Sequence, residues 1–484
     1  MKSSPWHQLC SVCAWIAFGS LMGPPAGAAS GAPPMNVLFI VSDDMNNELG
    51  TYGCTAAHTP NLDKLAATGI RFDRAYCQFP LCSPSRSSFL SGRWPATTGV
   101  LDLKIRADVV LAPFKLLPAF FKENGYVTAR VGKIMHNGME IASEWDRAAE
   151  CLSNDPTENE FQRRAASQRL REAHGEKLNP EKENYLMWGR SMGREEDFGD
   201  WRKAQLASTW LEELSRDSRP FFLAVGFMKP HHPYVAPSKY FDLCPPDGIV
   251  FPTEPAGHLD GVPKPAIHPE PGSAGMTVEH RREIVSAYFA CIAFVDAQVG
   301  RLLATLDRLH LAENTVVVFI SDHGYQLGEH QTPEGSLWHK MSLWNEAARV
   351  PMILRVPGRK GNGSACGRTV ELMDIYPTLA ALAGLTPPEH LDGHSLVPLL
   401  DNPSASWRYP AFTFLNDGPA RVGAAVTTER FRFIEWTGTE PGIQLYDTQA
   451  DPHEYHNLAA DPAFGMRVAD MRKLLHSVPA PTVR

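Results

Sequence analysis

The pair Asp43-Asp44, the stretch Cys82-Ser83-Pro84-Ser85-Arg86, Lys133 with His136, Lys229-Pro230-His231-His232, Asp322-His323 and Lys340 carry side chains suited to chemistry on a small anion. Asp43, Asp44 and Asp322 are hard oxygen ligands of the kind that Ca2+ or Mg2+ takes. His323 is less usual for a hard cation, and is either a borderline ligand or a donor behind the ligands. Outside the expected signal segment no two Cys pairs at zinc spacing occur, and there is no His-Glu-x-x-His motif, which argues against a structural zinc site or a zincin. Around hard carboxylates, Arg86, Lys133, His136, His231 and Lys340 would hold a tetrahedral anion and stabilise charge growing on it. Each cluster is weak alone. Paired aspartates after a strand are more often caps or loop residues, and Lys133 and Lys340 are by default solvated charges. What joins them is their place in the pattern.

Several apolar runs end in these residues. "NVLFIVSDD" (36–44) is a continuous Val/Ile-rich run, the mark of a strand buried on both faces. "GYVTARVGK" (125–133), "PFFLAVGF" (220–227), "TVVVFISDHG" (315–324) and "RVPMILRVPG" (349–358) read as further strands. Between them lie helical patterns: 58–69 with Thr59 as N-cap and Pro60 at the first position, 281–309, and 369–384 ending at a glycine. This alternation predicts an α/β fold, a large mostly parallel sheet sandwiched by helices. In such a sheet ligands bind beyond the carboxyl ends of the strands. If the strands are parallel, the clusters share one rim.

The other segments differ. Residues 140–215 are charged and poor in strand signals, and read as an insertion that either shapes a pocket or decorates the surface. Residues 242–278, rich in Pro and Gly, read as a long loop. Beyond residue 400, "VGAAVTTERFRFIEWTG" and "GIQLYD" predict a smaller C-terminal antiparallel-sheet subdomain over 401–484. Pocket loops are expected near 101–115, 140–215 and 415–440. Asp102, Lys104 and Arg106 are candidates there, although solvated loop charges are the plainer reading.

Of 484 residues, 43% are hydrophobic and 21% charged, as in a soluble globular protein with a large core. The net charge of −8, with no run of Lys or Arg, argues against nucleic acid as a partner. Residues 1–28 have a signal-peptide pattern: Lys2, the short apolar run Leu9–Met22, then Ala26-Gly27-Ala28 with cleavage expected after Ala28. No later segment reads as a membrane span. Export, to a periplasm or the outside, makes disulfides possible, and seven cysteines remain after cleavage, an odd number.

Cys82 could be a core residue, half of a disulfide, or a nucleophile. Pro84 suits the first turn of a helix running to Gly92, so Cys82 lies at its N-terminus, where free N–H groups and the dipole favour an anion. A thiolate could live there. Thiols are poor partners for a hard cation and a sulfuryl or phosphoryl centre, however.

Cys82-Ser83-Pro84-Ser85-Arg86, extended by "SSFLSGRWP", resembles the Cys/Ser-x-Pro-x-Arg core of the type I sulfatase family. The resemblance runs from about residue 36 to 458. "GKIMH", "FFLAVGFMKPHHPY", "YFACIAFVDAQVGRLLATL" and "SDHGYQLGEH" are nearest to the iduronate-2-sulfatase branch. The Asp-His form at 322–323 is shared with choline sulfatases and phosphonate monoester hydrolases.

The resemblance implies a catalytic α/β domain over about 36–400. It implies that a formylglycine-generating enzyme converts Cys82 to Cα-formylglycine, and that one calcium ion is held by Asp43, Asp44, Asp322 and His323 with the modified Cys82. Arg86 would hold the formylglycine hydrate, Lys133 and Lys340 would clamp sulfate, and His136 would be the base that breaks down the covalent intermediate. His231 would protonate the leaving alcohol, with or without Lys340. The implied substrate is a sulfated sugar or glycosaminoglycan-like polysaccharide. A phosphodiesterase, phosphonate monoesterase or choline-sulfatase-like enzyme, or a non-catalytic sulfated-glycan binder if Cys82 stays unmodified, remain as alternatives.

Overall fold

The computed structural model describes residues 34–173 and 186–481. The expected signal segment 1–28 lies outside them. The strands of the large sheet are β1 (Asn36–Asp43), β2 (Ile70–Tyr76), β3 (Val127–Gly132), β4 (Arg147–Ala149), β5 (Phe221–Pro230), β6 (Thr315–Ser321), then β9 (Arg349–Val350), β10 (Met352–Arg355) and β11 (Ser364–Glu371). A hairpin, β7 (Glu329–Thr332) and β8 (Gly335–Leu337), stands between β6 and β9 in the chain. The order across the sheet is β9-β2-β10-β6-β1-β5-β3-β4, with β11 also on β2. β6, β1, β5, β3 and β4 run parallel. β10 is antiparallel to both β6 and β2.

Alternation along β1 shows why the sheet is covered twice. Leu38 and Ile40 enter one core with the helices α1 (Pro60–Thr68), α4 (Gly199–Leu214) and α5 (Val278–Arg308). Val37, Phe39 and Val41 enter the other with α2 (Cys82–Ser91) and α6 (Ile375–Leu382). Side chains on opposite faces of one strand thus each find an apolar partner, so the run is apolar throughout rather than alternating.

Several expectations are corrected. The stretch Thr369–Glu371 is strand, not helix: it pairs with β2, and Glu371 with Asp374 forms a capping box that starts the helix later. Thr59 stands at the N-cap of α1 but does not cap it with its side chain. Its Oγ1 accepts from the Gly50 N–H, and Asp296 of α5 accepts from the N–H groups of Asn61 and Leu62 instead. Residues 140–215 are more than an insertion, because α4 lies against the parallel strands in the first core. The helix α3 (Pro156–Ala173) comes from the same stretch. α5 is long and apolar enough to cross a membrane, with a mean hydropathy of 1.5 over its best window. That window is 78% buried inside the protein, as a core helix is. The seven cysteines of the described residues are all free.

A second sheet is a four-stranded antiparallel meander, β12 (Ala411–Asp417), β13 (Arg421–Thr427), β14 (Phe431–Trp436) and β15 (Gly442–Asp447). It belongs to the same compact unit as the large sheet. Phe412, Phe414, Phe433 and Leu445 share a core with Phe79, Leu81 and Trp94, which flank α2.

Where β3 and β5 end, their backbones come unusually close. A Cβ on Gly226 would stand 1.9 Å from the Lys133 carbonyl oxygen, and the Lys133 N–H donates to the Gly226 carbonyl at 3.2 Å. Only glycine allows this approach. Gly226→Ala is therefore expected to lower stability by at least about 3 kcal/mol, since backbone cannot step aside as a side chain can. A urea midpoint matching the unsubstituted protein would contradict this.

Candidate active site

The parallel order β6-β1-β5-β3 brings four strand ends to one rim. β1 ends in Asp43-Asp44, β6 leads into Asp322-His323, β5 into His231, and β3 into Lys133 and His136. α2 starts across this rim, and all ten of its residues are buried although five are serines. Three of them donate to nearby carbonyls: Ser87 to that of Ser83, Ser91 to that of Ser87, and Ser85 to that of Asp322. Cys82 is the first residue of this helix. Its Sγ lies 3.3 Å from Asp43 Oδ1, 3.4 Å from His323 Nε2 and 3.3 Å from Lys340 Nζ.

Asp43, Asp44 and Asp322 are fully buried. Each faces a cation. Arg86 Nε donates to Asp322 Oδ2 at 2.8 Å, and its Nη1 donates to the carbonyls of Lys133 and Ile134. Arg86 Nη2 lies 3.8 Å from Asp43 Oδ2. Lys133 Nζ bonds the same Asp43 oxygen. Lys340 Nζ donates to Asp44 Oδ1 at 2.7 Å. Asp44 takes φ 65°, uncommon for a residue with a side chain. Its N–H donates to Asp322 Oδ1, and its carbonyl accepts from the Tyr288 hydroxyl at 2.7 Å.

Burial and pairing compete at every group here. Burial alone would raise the Asp43 carboxyl, but Lys133, His231 and Arg86 together hold it well below the usual carboxylate range. At Asp44 burial wins over Lys340 and His323 and pushes the carboxyl up to about 7. Burial and Asp43 push the Cys82 thiol up, yet Lys133 and Lys340 outweigh them and it lies below its ordinary value. Burial opposes charge on His323, but Asp322 and Cys82 raise it to about 9. Burial and Lys133 lower His136 to about 4, while burial and Lys340 hold His231 well below the ordinary range. His231 Nδ1 meets the His232 carbonyl at 2.7 Å, which leaves Nε2 toward Asp44.

The donor set fits a hard cation. Ligand atoms of Asp43, Cys82, Asp322 and His323 lie within 4.8 Å of one another, as do those of Asp43, Asp44, Cys82 and His231. Asp44 Oδ2 is buried with no hydrogen-bond partner, as a carboxylate oxygen kept for a metal would be.

The residues expected to hold the metal and the sulfate thus meet in one place, including Lys340. The hairpin β7–β8 precedes Lys340 in the chain. The Lys340 segment is then gripped from the antiparallel sheet. Arg421 donates to the carbonyls of Met341 and Pro265, and Arg432 to that of Leu343. Sequence reasoning missed these two arginines, since an Arg on an exposed-looking strand gives no sign of a distant backbone partner. Asp102 accepts from the Lys104 N–H within its own segment, and Arg106 donates to Asp108 and to the Gly138 carbonyl.

Residues 35–385 match the sulfatase family, and residues 329–480 match the C-terminal region of N-sulphoglucosamine sulphohydrolase. The chain belongs to the sulfatase family. Mouse iduronate 2-sulfatase is 30% identical over 98% of this chain and 98% of its own length. A sulfatase from Formosa agariphila is 32% identical over 91% of this chain and 86% of its own. A solved structure bound to its substrate D-glucosamine-2-N,6-O-disulfate superposes with a TM-score of 0.72 at 21% identity, covering 92% and 97% of the two chains. As a sulfatase-family member the chain is a sulfuric ester hydrolase. The family typically carries formylglycine and a metal ion, and the cluster at Cys82 is where such groups would lie.

Arg86 is spent on Asp322 and two carbonyls, so in this sulfatase fold it orders the rim. Arg86→Met would leave two buried carboxylates short of a counter-ion, at an expected cost of about 3–5 kcal/mol. Chemical denaturation in EDTA measures it, and a loss below about 1 kcal/mol would show that another group neutralises them.

Proposed function

We propose that this protein hydrolyses a sulfate ester on a sulfated sugar, as its iduronate 2-sulfatase relatives' name describes for them, and that it does so after export and after conversion of Cys82 to Cα-formylglycine. The observation that carries the reading is the convergence of Asp43, His323 and Lys340 on Cys82 at the start of α2. The 30% identity to iduronate 2-sulfatase over nearly the whole of both chains supports the sugar sulfate class.

Asp43, Asp44, Asp322 and His323 would hold one calcium ion, whose charge would favour a deprotonated oxygen at position 82. The modified side chain supplies a carbon with two hydroxyls, one to attack sulfur and one left for the release of sulfate. The chain's own residues do the rest. Lys133, bonded to Asp43, and Lys340, 3.3 Å from the Cys82 sulfur, take the sulfate oxygens. Arg86 fixes Asp322 and Asp43, and its unpartnered Nη2 points to the same rim. Half-buried His231 is neutral in the free protein, and the negative charge of a bound ester is what loads its Nε2 with the proton for the leaving oxygen. Neutral His136, with a buried and unpartnered Nδ1, accepts a proton as sulfate leaves.

The first test joins chemistry to mass. A tryptic peptide spanning Ala75–Arg86 is expected to carry formylglycine, and Cys82→Ala is expected to abolish turnover of a disaccharide ending in 2-O-sulfated iduronate. Full activity from protein holding only unmodified cysteine would refute the mechanism, and faster turnover of an aryl phosphonate ester would move the substrate class. A second test concerns the leaving group. His231→Ala is expected to slow the disaccharide by roughly 10²–10⁴. It should slow 4-nitrophenyl sulfate much less, because a nitrophenolate leaves without a proton. Equal losses on both would remove His231 from the acid role.

A further inference from the structure

The helix α3, from the charged stretch 140–215, turns one face toward the catalytic loop. Glu158, Gln162, Ala165 and Ala166 stand at helical spacing i, i+4, i+7 and i+8, and so share that face. Glu158 is buried, and its carboxylate meets the buried ammonium of Lys229 at 3.3 Å. Lys229 lies two residues before His231, and its Nζ also donates to the Pro233 carbonyl at 2.8 Å, across the loop that carries His231. Ser42, beside Asp43, donates to the Lys229 carbonyl, and Asp200 accepts from the Met228 and Lys229 N–H groups. The start of α3 is itself seated, because Asp155 accepts from the Glu158 N–H and the Ser191 hydroxyl. α3 is thus tied to the His231 loop by a buried ion pair, which is costly to separate.

One turn beyond that tie the same face borders a cavity of about 260 Å³. Gln162, Ala165 and Ala166 line it together with Lys133, His136, Asn137 and His231. None of its lining residues is a carboxylate. The volume lies just under the usual range of small-ligand sites, ~300–1,000 Å³, room for one sugar ring. The two alanines leave that room, and the glutamine amide offers both a donor and an acceptor to it.

We propose that Gln162 is a specificity-determining residue, hydrogen-bonding the hydroxyls of the sugar that carries the scissile sulfate, with the Glu158–Lys229 pair keeping it in register with His231. This rests on the sulfated-sugar reading above and deepens it. A sugar presents hydroxyls to Gln162, and a flat aryl sulfate presents none. A site built to bond a hydroxyl discriminates by losing that bond.

The test compares kcat/KM for the disaccharide ending in 2-O-sulfated iduronate with that for 4-nitrophenyl sulfate, in the full-length enzyme and in Gln162→Ala and Gln162→Glu. The ratio is expected to fall about ten-fold in Gln162→Ala, with KM for the disaccharide carrying most of it. In Gln162→Glu, which keeps the size of the side chain, the ratio should fall further and depend on salt, because a carboxylate would face an anionic substrate. A ratio within two-fold of the unsubstituted enzyme in both variants overturns the role of Gln162. Equal losses on both substrates overturn it too, as they would mark a structural role. An unsubstituted enzyme inactive on the disaccharide overturns the sugar reading itself, which the variants are not needed to reveal.

Discussion

Three carboxylates that meet out of reach of water at neighbouring strand ends set the terms for the rest of the structure. Taking a charge from water costs several kcal/mol even after relaxation, and only close, well-aligned opposite charge offsets it. Asp43, Asp44 and Asp322 therefore each need a cation delivered from elsewhere in the chain. Arg86 reaches Asp322 and Asp43 only if α2 begins over the rim, and Ser85, Ser87 and Ser91 help to seat α2 there by donating to nearby carbonyls. The polar, fully buried helix is thus a consequence of the carboxylates. Asp44 shows what incomplete pairing does: one oxygen bonds Lys340, the other has no partner, and burial carries the group up to about 7.

The same demand explains why a second sheet is needed. Lys133 comes at the end of a strand, so its backbone is fixed by the sheet itself. Lys340 comes from a connection that follows a short hairpin, and nothing in the large sheet holds it. Arg421 and Arg432 supply that hold by bonding the backbone carbonyls of Met341 and Leu343, just after it. Buried Glu454 in turn pairs with Arg432 and accepts from the Asn345 N–H. The antiparallel sheet takes part in the site without presenting a side chain to it.

Much of this was legible in the sequence where a local pattern carried it. The continuous apolar runs before Asp43, Lys133, His231 and Asp322 mark strands buried on both faces, and their polar ends mark one rim once the strands are parallel. Ile70–Tyr76 was not read as a strand, because IRFDRAY alternates only over its first four residues, is short and follows a helix directly. Thr369–Glu371 was misread because the helical period of the residues after it extends back over a strand that only its partner β2 defines. What no local pattern holds is a contact between distant segments. The cap of α1 comes from Asp296, the clamp on Lys340 from Arg421, and the counter-ion of Lys229 from Glu158. Each is a pairing across more than 70 residues, and nothing in the spacing of either partner announces it.

Charge pairing also divides the molecule by how freely it can change. A substitution on the rim strands a buried charge, and the penalty falls on stability before it reaches activity. A substitution along the outer turns of α3 strands nothing, because Gln162 faces open space and Ala165 and Ala166 carry no polar group. The tie at Glu158 keeps that wall in place while the residues beyond it vary. A fold built this way can hold its sulfate chemistry constant and alter the sugar it accepts. A likeness in fold at 21% identity, with a TM-score of 0.72, shows how far the sequence can change while the architecture stays.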